Sequence, residues 1–440
     1  MTDRVSIWQI LPVEKGGRME ALFPARSVPA IVISQRTASD LKRIGLALGI
    51  GLALTTAHTL IVCALAGGSD LPTAYAKLSQ MDSGWYASIV ERGYYSPEVL
   101  TPGSVGNVAF FPGYPLFGRL MKNLTGLPTG LALPLAAQLA CWGAWTYLFL
   151  FFQRLGYSLR SAAVGTLAIA SQPAAFFLVV GYSESLFVFA MLGYLYWADR
   201  QDRRGDLLAC AHGILMTGTR LVGLPLIVYP LARAVFCAKV PIRFRDVVGR
   251  LCWGAVAGMG GLLFFAFCCR RFGRWDLYFQ TVNVGWGIRS NYLGIVSYKT
   301  YIINLFRARY GFIDSTWLDQ VTVLSIIAFL VLVLRREWKL ARSGVDSGWR
   351  KRAGYYLAAC LLLFFNISAR YEVRMLGMIR YAHCIEILLV LAMLQLLSRA
   401  PLAEGRRSAW AATALAVWIA FSFLCQLVYI YCFTHGLWVA

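Results

Sequence analysis

Six short segments hold the polar residues whose types and spacing suit chemistry. "MDSGWYASIVERGYY" places Asp82 ahead of Trp85 and Tyr86, "NVAFFPGYP" contains Asn107, and "VVGYSESLF" contains Glu184. "TGTRLVG" contributes Arg220, "YFQTVNVGWG" contributes Gln280 and Trp286, and "SARYEVRMLGMIRYAH" contributes Arg370, Arg374 and Arg380. A carboxylate such as Asp82 can take a proton from a hydroxyl nucleophile when the two are within hydrogen-bond reach. Clustered guanidiniums suit a phosphate. Amide and aromatic side chains such as Gln280 and Trp286 suit hydroxyl hydrogen bonding and stacking on a sugar face.

Each of these residues also has a structural reading. Asp82 ahead of "SGW" fits a helix N-cap as well as it fits a base. Trp85, Tyr86 and Ile89 recur at helical spacing and would lay one face of a short helix on a membrane surface. The rings of "NVAFFPGYP" can line a sugar or lipid groove, or anchor a loop at the interface. Glu184 in a first helical turn is favourable for dipole reasons alone, with Ser183 beside it as a cap. Arg220 falls between two apolar runs, where a charge is either functional or paired, and Glu184 is the candidate partner. Snorkelling to headgroups accounts for Arg370 more readily than for Arg380, which adjoins an apolar run.

The elements that must position these residues follow from composition. The 440 residues are 58% hydrophobic and 14% charged, and several apolar runs reach the roughly 20 residues that cross a bilayer. About eleven spans are expected, at 44–66, 131–152, 162–180, 185–198, 207–216, 221–235, 251–269, 318–334, 353–367, 379–397 and 409–433. The expectation is an all-α polytopic membrane protein: an N-terminal segment 1–43 on the cytoplasmic side, then one transmembrane domain over 44–440. Basic residues concentrate in the inner segments if the N-terminus is cytoplasmic. That orientation puts two large loops outside, 67–130 and 270–317. The second breaks the charge rule with Arg270, Arg271, Arg274, Arg289, Lys299, Arg307 and Arg309, and so calls for an anionic ligand or headgroups. The 207–216 run is too short to span alone and pairs with 221–235 around "TGTR".

The net charge of +21 is scattered among spans rather than gathered in a basic domain, so anionic lipid and not nucleic acid is the expected partner. The eleven cysteines show no paired or metal-ligand spacing and read as small core residues. His58, His212 and His383 fall on helices and His435 in the tail, with no carboxylate spacing that makes a metal site. No cofactor is implied.

In order and position, "DSGWYASIVERGY", "AFFPGYP", "GYSESLF", "TRLVGLPL", "FQTVNVGW" and "MIRY" resemble the PIG-V family of integral-membrane mannosyltransferases, within the wider GT-C glycosyltransferases. The resemblance covers about Asp82 to Tyr381. It implies a GT-C-type bundle with a large first outer loop, a polyprenyl-phosphate-linked sugar donor, metal-independent inversion at the anomeric carbon, and an acceptor hydroxyl activated by a loop acid. Asp82 is the matching position for that acid. Arg380, Arg374 and Arg220 are then expected at the donor phosphate, and Trp85, Tyr86, Asn107, Glu184, Gln280, Trp286 and Tyr381 at the sugar or acceptor. The acceptor would be a lipid, glycan or protein. The chain departs from the family after "RY", where "AHCIEIL" replaces an expected apolar "FP" turn. Compact loops point to a bacterial relative in the inner membrane with its site on the periplasmic face; a eukaryotic one would lie in the endoplasmic reticulum membrane. The competing classes are a polyprenyl-lipid or glycolipid flippase, for which inverted repeats would be typical, and a scaffold, which would not require Asp82, Glu184 and Arg380 together.

Overall fold

The computed structural model describes residues 30–200, 202–237, 243–297, 308–309, 312–313, 316–343, 348–399 and 406–437. It divides into two units, residues 1–42 and 43–440, and the candidate site lies wholly in the second. Helix α1 (Ala30–Ala66) starts well ahead of the expected position 44. Residues 1–29 of the expected N-terminal segment, and Lys299 and Arg307 of the second loop, lie outside the described residues.

Three helices lie in the expected first loop: α2 (Leu71–Ala76), α3 (Ser83–Arg92) and α4 (Gly113–Thr125), with a 3-10 turn at Asn107–Ala109. Then come α5 (Thr129–Arg154), α6 (Leu159–Ala170), a 3-10 turn at Ala175–Leu178, α7 (Glu184–Ala198) and α8 (Arg203–Thr219). A 3-10 stretch, Leu221–Val228, runs into α9 (Tyr229–Cys237), followed by α10 (Phe244–Phe272) and α11 (Leu277–Gln280), which a π turn extends through Thr281–Gly285. Helices α12 (Thr316–Arg342), α13 (Trp349–Arg370), α14 (Met378–Arg399) and α15 (Arg406–Thr434) complete the chain. Two-residue strands β1 (Ala308–Arg309) and β2 (Phe312–Ile313) pair antiparallel, Ala308 opposite Ile313.

This is an all-α polytopic membrane protein. Seven of the described helices, α1, α5, α10, α12, α13, α14 and α15, are long and apolar enough to cross a bilayer. The remaining expected spans form shorter helices. The run expected to span 162–180 stops at Ala170 because "SQPAA" follows: Pro173 cannot continue the hydrogen-bond ladder, and it disfavours helical backbone at Gln172. Helix α7, with apolar residues on all sides, is buried along most of its length, as a helix without a polar face must be. Helices α8 and α10 cross so closely that a side chain at Gly260 would collide with the Ile214 carbonyl, the small-residue contact by which membrane helices approach.

Ion pairs fix the direction of the short helices. Arg220, at the end of α8, meets Glu184 at the start of α7, whereas Arg233 of α9 meets Asp199 just past the end of α7. The chain therefore reaches one end of the bundle at Arg220 and returns to the other by Arg233. The 207–216 and 221–235 runs are two antiparallel passages, and Asp82, Glu184, Arg220 and Arg380 share one end.

Candidate active site

Helix α3 carries Asp82 at its N-terminal boundary, yet the Asp82 side chain makes no capping hydrogen bond there. The N-cap reading is thereby corrected. Asp82 is held by its backbone instead: its N–H donates to the Tyr182 hydroxyl (3.2 Å), the Ser83 hydroxyl donates to the Gly181 carbonyl (2.9 Å), and the Gly181 N–H donates to the Leu78 carbonyl (2.9 Å). Gly181 is needed for this close approach, since a Cβ there would lie 2.9 Å from Ser83 Oγ. Met81, immediately before Asp82, adopts φ +51°, a left-handed conformation that L residues hold only when their surroundings enforce it.

The freed carboxylate points at α14. Arg380 Nη1 donates to Asp82 Oδ2 at 2.9 Å, and Arg380 Nε lies 3.0 Å from Glu184 Oε1. Glu184 Oε1 also accepts from Arg220 Nη1 at 2.6 Å. Arg220 reaches it because its own backbone is extended, breaking the chain between α8 and the 3-10 stretch; irregular backbone within an apolar bundle is tolerated where it lines a polar site. Tyr381 is the centre of the cationic side. Its hydroxyl accepts from Arg380 Nη2 (2.8 Å) and from Arg370 Nη2, while the Arg370 and Arg220 guanidiniums lie 4.5 and 4.7 Å from its ring centroid. Three guanidiniums and two carboxylates thus meet in one group, Arg220 and Arg380 on the carboxylates and Arg370 on Tyr381. Asp82 keeps 15% of its side-chain surface exposed, so a substrate can reach it.

An aromatic wall stands beside this group. Trp85 stacks on Phe110 at 5.9 Å and meets Trp286 edge-on at 5.6 Å, so the first loop and the segment after α11 close on each other. The Gly103 N–H donates to the Gly285 carbonyl at 3.0 Å and ties the same two segments. The face of α3 expected to lie on the membrane surface packs on protein: Tyr86 and Ile89 are buried, and Tyr86 packs against α4 and α5, edge-on to Tyr114 at 4.8 Å. The Tyr86 hydroxyl donates to Ser183 Oγ at 2.9 Å. Burial first, and then the nearby Glu184 carboxylate, push its pKa above the ordinary tyrosine value, so it stays a neutral donor.

Three expected site residues stand apart. Asn107 is fully buried, accepting from the Tyr95 N–H (2.9 Å) and donating to Ser88 Oγ and the Gly93 carbonyl (both 3.0 Å). Its amide is occupied in folding the loop. Gln280 donates to Asp276 Oδ2 at 3.1 Å, on its own helical turn. Arg374 is exposed in the turn between α13 and α14, with φ +56°, and does not join the other arginines. Arg370, read from sequence as a snorkelling residue, does join them. No signal in its local sequence distinguishes it, because its partner Tyr381 comes from the next helix.

Several polar atoms at the site have no hydrogen-bond partner among the described residues: Glu184 Oε2, Arg380 Nε, Asn366 Nδ2 and both ring nitrogens of His383. All belong to residues lining one small cavity beneath the arginines. Buried polar atoms left in this way are costly unless a ligand or water satisfies them. Among the described residues, no group of three His, Cys, Asp or Glu side chains could hold a metal ion.

No protein-family model matches the chain, and no curated protein matches it. Among solved structures, the chain is similar to ArnT from Cupriavidus metallidurans bound to undecaprenyl phosphate, with 15% identity over 87% of this chain and 76% of that one, at a TM-score of 0.46. It is also similar to the archaeal oligosaccharyltransferase AglB from Archaeoglobus fulgidus in complex with an inhibitory peptide and a dolichol-phosphate, with 12% identity over 87% of this chain and 56% of that one, at a TM-score of 0.43.

Proposed function

We propose that this protein is a membrane glycosyltransferase that moves a sugar from a polyprenyl-phosphate-linked donor to an acceptor hydroxyl, with inversion. The observation that carries the reading is the juxtaposition at one end of the bundle: an accessible, uncapped Asp82 carboxylate 2.9 Å from Arg380, in a group with three guanidiniums and two carboxylates. The surplus positive charge suits a phosphate, and the aromatic wall of Trp85, Phe110 and Trp286 suits a sugar ring or isoprenoid unit.

In the mechanism, the donor phosphate takes Asp82's place at Arg380. Asp82 is then free to accept the proton of the acceptor hydroxyl. The acceptor oxygen forms its bond to the anomeric carbon from the face opposite the phosphate, the bond from that carbon to the phosphate oxygen breaks, and the electron pair leaves with the phosphate. Arg380, Arg220 and Arg370 stabilise the negative charge that develops there. Glu184 holds Arg220 and Arg380 in place. Mannose is the proposed sugar, on the resemblance of the segments that converge here to the PIG-V mannosyltransferases, and the outer face of the membrane is the proposed side.

The test is transfer of radiolabelled mannose from a mannosyl polyprenyl phosphate to extracted membrane acceptors by the purified protein. Label appearing in an extractable product supports the reading. Transfer of glucose or another hexose in place of mannose would correct the sugar, and absence of transfer from any polyprenyl-linked hexose would remove the glycosyltransferase assignment.

A further inference from the structure

Arg380 sits in the first turn of α14, and what precedes it is strained. In the turn from Tyr371 to Gly377, Arg374 (φ +56°), Met375 (φ +65°) and Gly377 (φ +77°) all lie in the left-handed region, which L residues avoid without outside support. The turn is closed by local backbone bonds, Arg374 N–H to the Tyr371 carbonyl (3.1 Å) and Met375 N–H to the Arg370 carbonyl (2.9 Å). Such bonds do not set the direction in which α14 leaves the turn.

A residue from another helix supplies that constraint. Asp319, in the first turn of α12 and 2% exposed, accepts the Gly377 N–H on Oδ2 (3.1 Å) and the Ile379 N–H on Oδ1 (2.7 Å). These are opening N–H groups of α14, which no bond within that helix satisfies, and both point at the positive end of its dipole, where a carboxylate is favoured. Asp319 therefore caps α14 from outside the helix, one residue before Arg380. A buried acid in an apolar helix is costly and calls for a reason. Holding a strained turn and aiming the next side chain is such a reason.

We propose that Asp319 is a positioning residue for Arg380: by capping α14 across the α12–α14 contact it fixes the left-handed turn and holds the Arg380 guanidinium between Asp82 and Glu184. The readout on the donor rests on the glycosyltransferase reading, whereas the cap itself does not.

The test combines undecaprenyl phosphate binding with amide hydrogen exchange on the full-length purified protein. Asp319→Asn cannot accept both N–H groups. It is expected to weaken undecaprenyl phosphate binding roughly tenfold, the effect of losing one charge-assisted hydrogen bond, and to speed exchange over 371–382 while the rest of α14 is unchanged. Adding Arg374→Gly, which relieves left-handed strain at an exposed position, should recover most of the lost affinity. Unchanged binding and exchange in D319N would overturn the proposal, as would a loss that R374G does not recover. If D319N does not accumulate, the wild-type amides of Gly377 and Ile379 decide: protection like that of the helix interior supports the cap, and exchange as fast as the preceding turn refutes it. If the wild-type protein binds no undecaprenyl phosphate, the donor reading fails, while the exchange measurements still judge Asp319.

Discussion

The two ends of the bundle are built from the same chemistry and use it differently. At the end away from the site, Arg233 gives Nε to Asp199 (2.6 Å) and Nη1 to the Lys351 carbonyl (2.8 Å), while Tyr229 donates to the same carboxylate (3.1 Å). Nearby, Arg352 binds Glu337 through two bonds (2.5 and 2.7 Å), and Tyr356 adds a third (3.0 Å). Arg233 and Arg352 each have their own carboxylate there. At the site end, Arg220 and Arg380 divide one oxygen of Glu184, and among the described residues its second oxygen has no hydrogen-bond partner and Arg370 meets only the Tyr381 hydroxyl and ring. One-to-one pairing makes a lock between helices. Two arginines on one carboxylate oxygen, with a third that meets only a tyrosine among the described residues, make a place for an anion.

The largest effect is expected from breaking the lock. Arg352→Met withdraws the guanidinium from buried Glu337 and should cost about 3–5 kcal/mol of stability, read as a lower Tm, with transfer per folded molecule unchanged. A fall in turnover without a fall in Tm would put that end in the chemistry and dissolve the contrast. Next is Asp82→Asn, which should reduce turnover about 100-fold or more, the scale of general-base catalysis, with a smaller fall in Tm than Arg352→Met gives, because Arg380 keeps Glu184 as a second carboxylate. Near-normal transfer by folded D82N would move the base elsewhere. Arg380→Lys keeps the charge and loses the fork, so KM for the donor should rise roughly tenfold with kcat changing less; an equal fall in kcat and kcat/KM, with KM unchanged, would instead give Arg380 a role confined to the transition state.

The smallest effect belongs to an exposed pair outside both networks. Lys122 bonds Glu91 at 2.6 Å, and that bond, with Thr129, holds the Glu91 carboxyl below the usual range. A depressed carboxyl pKa gives stability that is present above the unfolded value and lost as pH falls through the lower folded value. The Tm difference between wild type and Lys122→Met should therefore be slight at neutral pH and in low salt, and vanish in acid and in high salt. A difference that grew on acidification would contradict the pairing.

Much of the site was legible because charged residues are rare in apolar sequence. Asp82, Glu184, Arg220 and Arg380 each interrupt or flank a hydrophobic run, and each lies in the converged group. Less legible was the partner of each charge, which depends on how helices cross. Arg370 looked like a headgroup anchor until α14 brought Tyr381 beneath it. Asn107 looked available until the loop folded around its amide. Asp319 carried a signal that went unused, an acid inside the expected 318–334 span. Helix lengths were partly obscured too: hydropathy marks apolar surface, and so joins α6 to the 3-10 turn beyond Pro173.

The central claim is that the arginine surplus at the site end binds a lipid phosphate. Its most direct test is equilibrium binding of undecaprenyl phosphate to the purified protein in micelles, comparing wild type, Arg380→Gln and Arg233→Lys. The expected result is one saturable site, weakened at least about tenfold by R380Q, which removes a charge-assisted phosphate contact, and left as it was by R233K. Binding that ignores R380Q, or that falls equally with R233K, would contradict the assignment of the two ends.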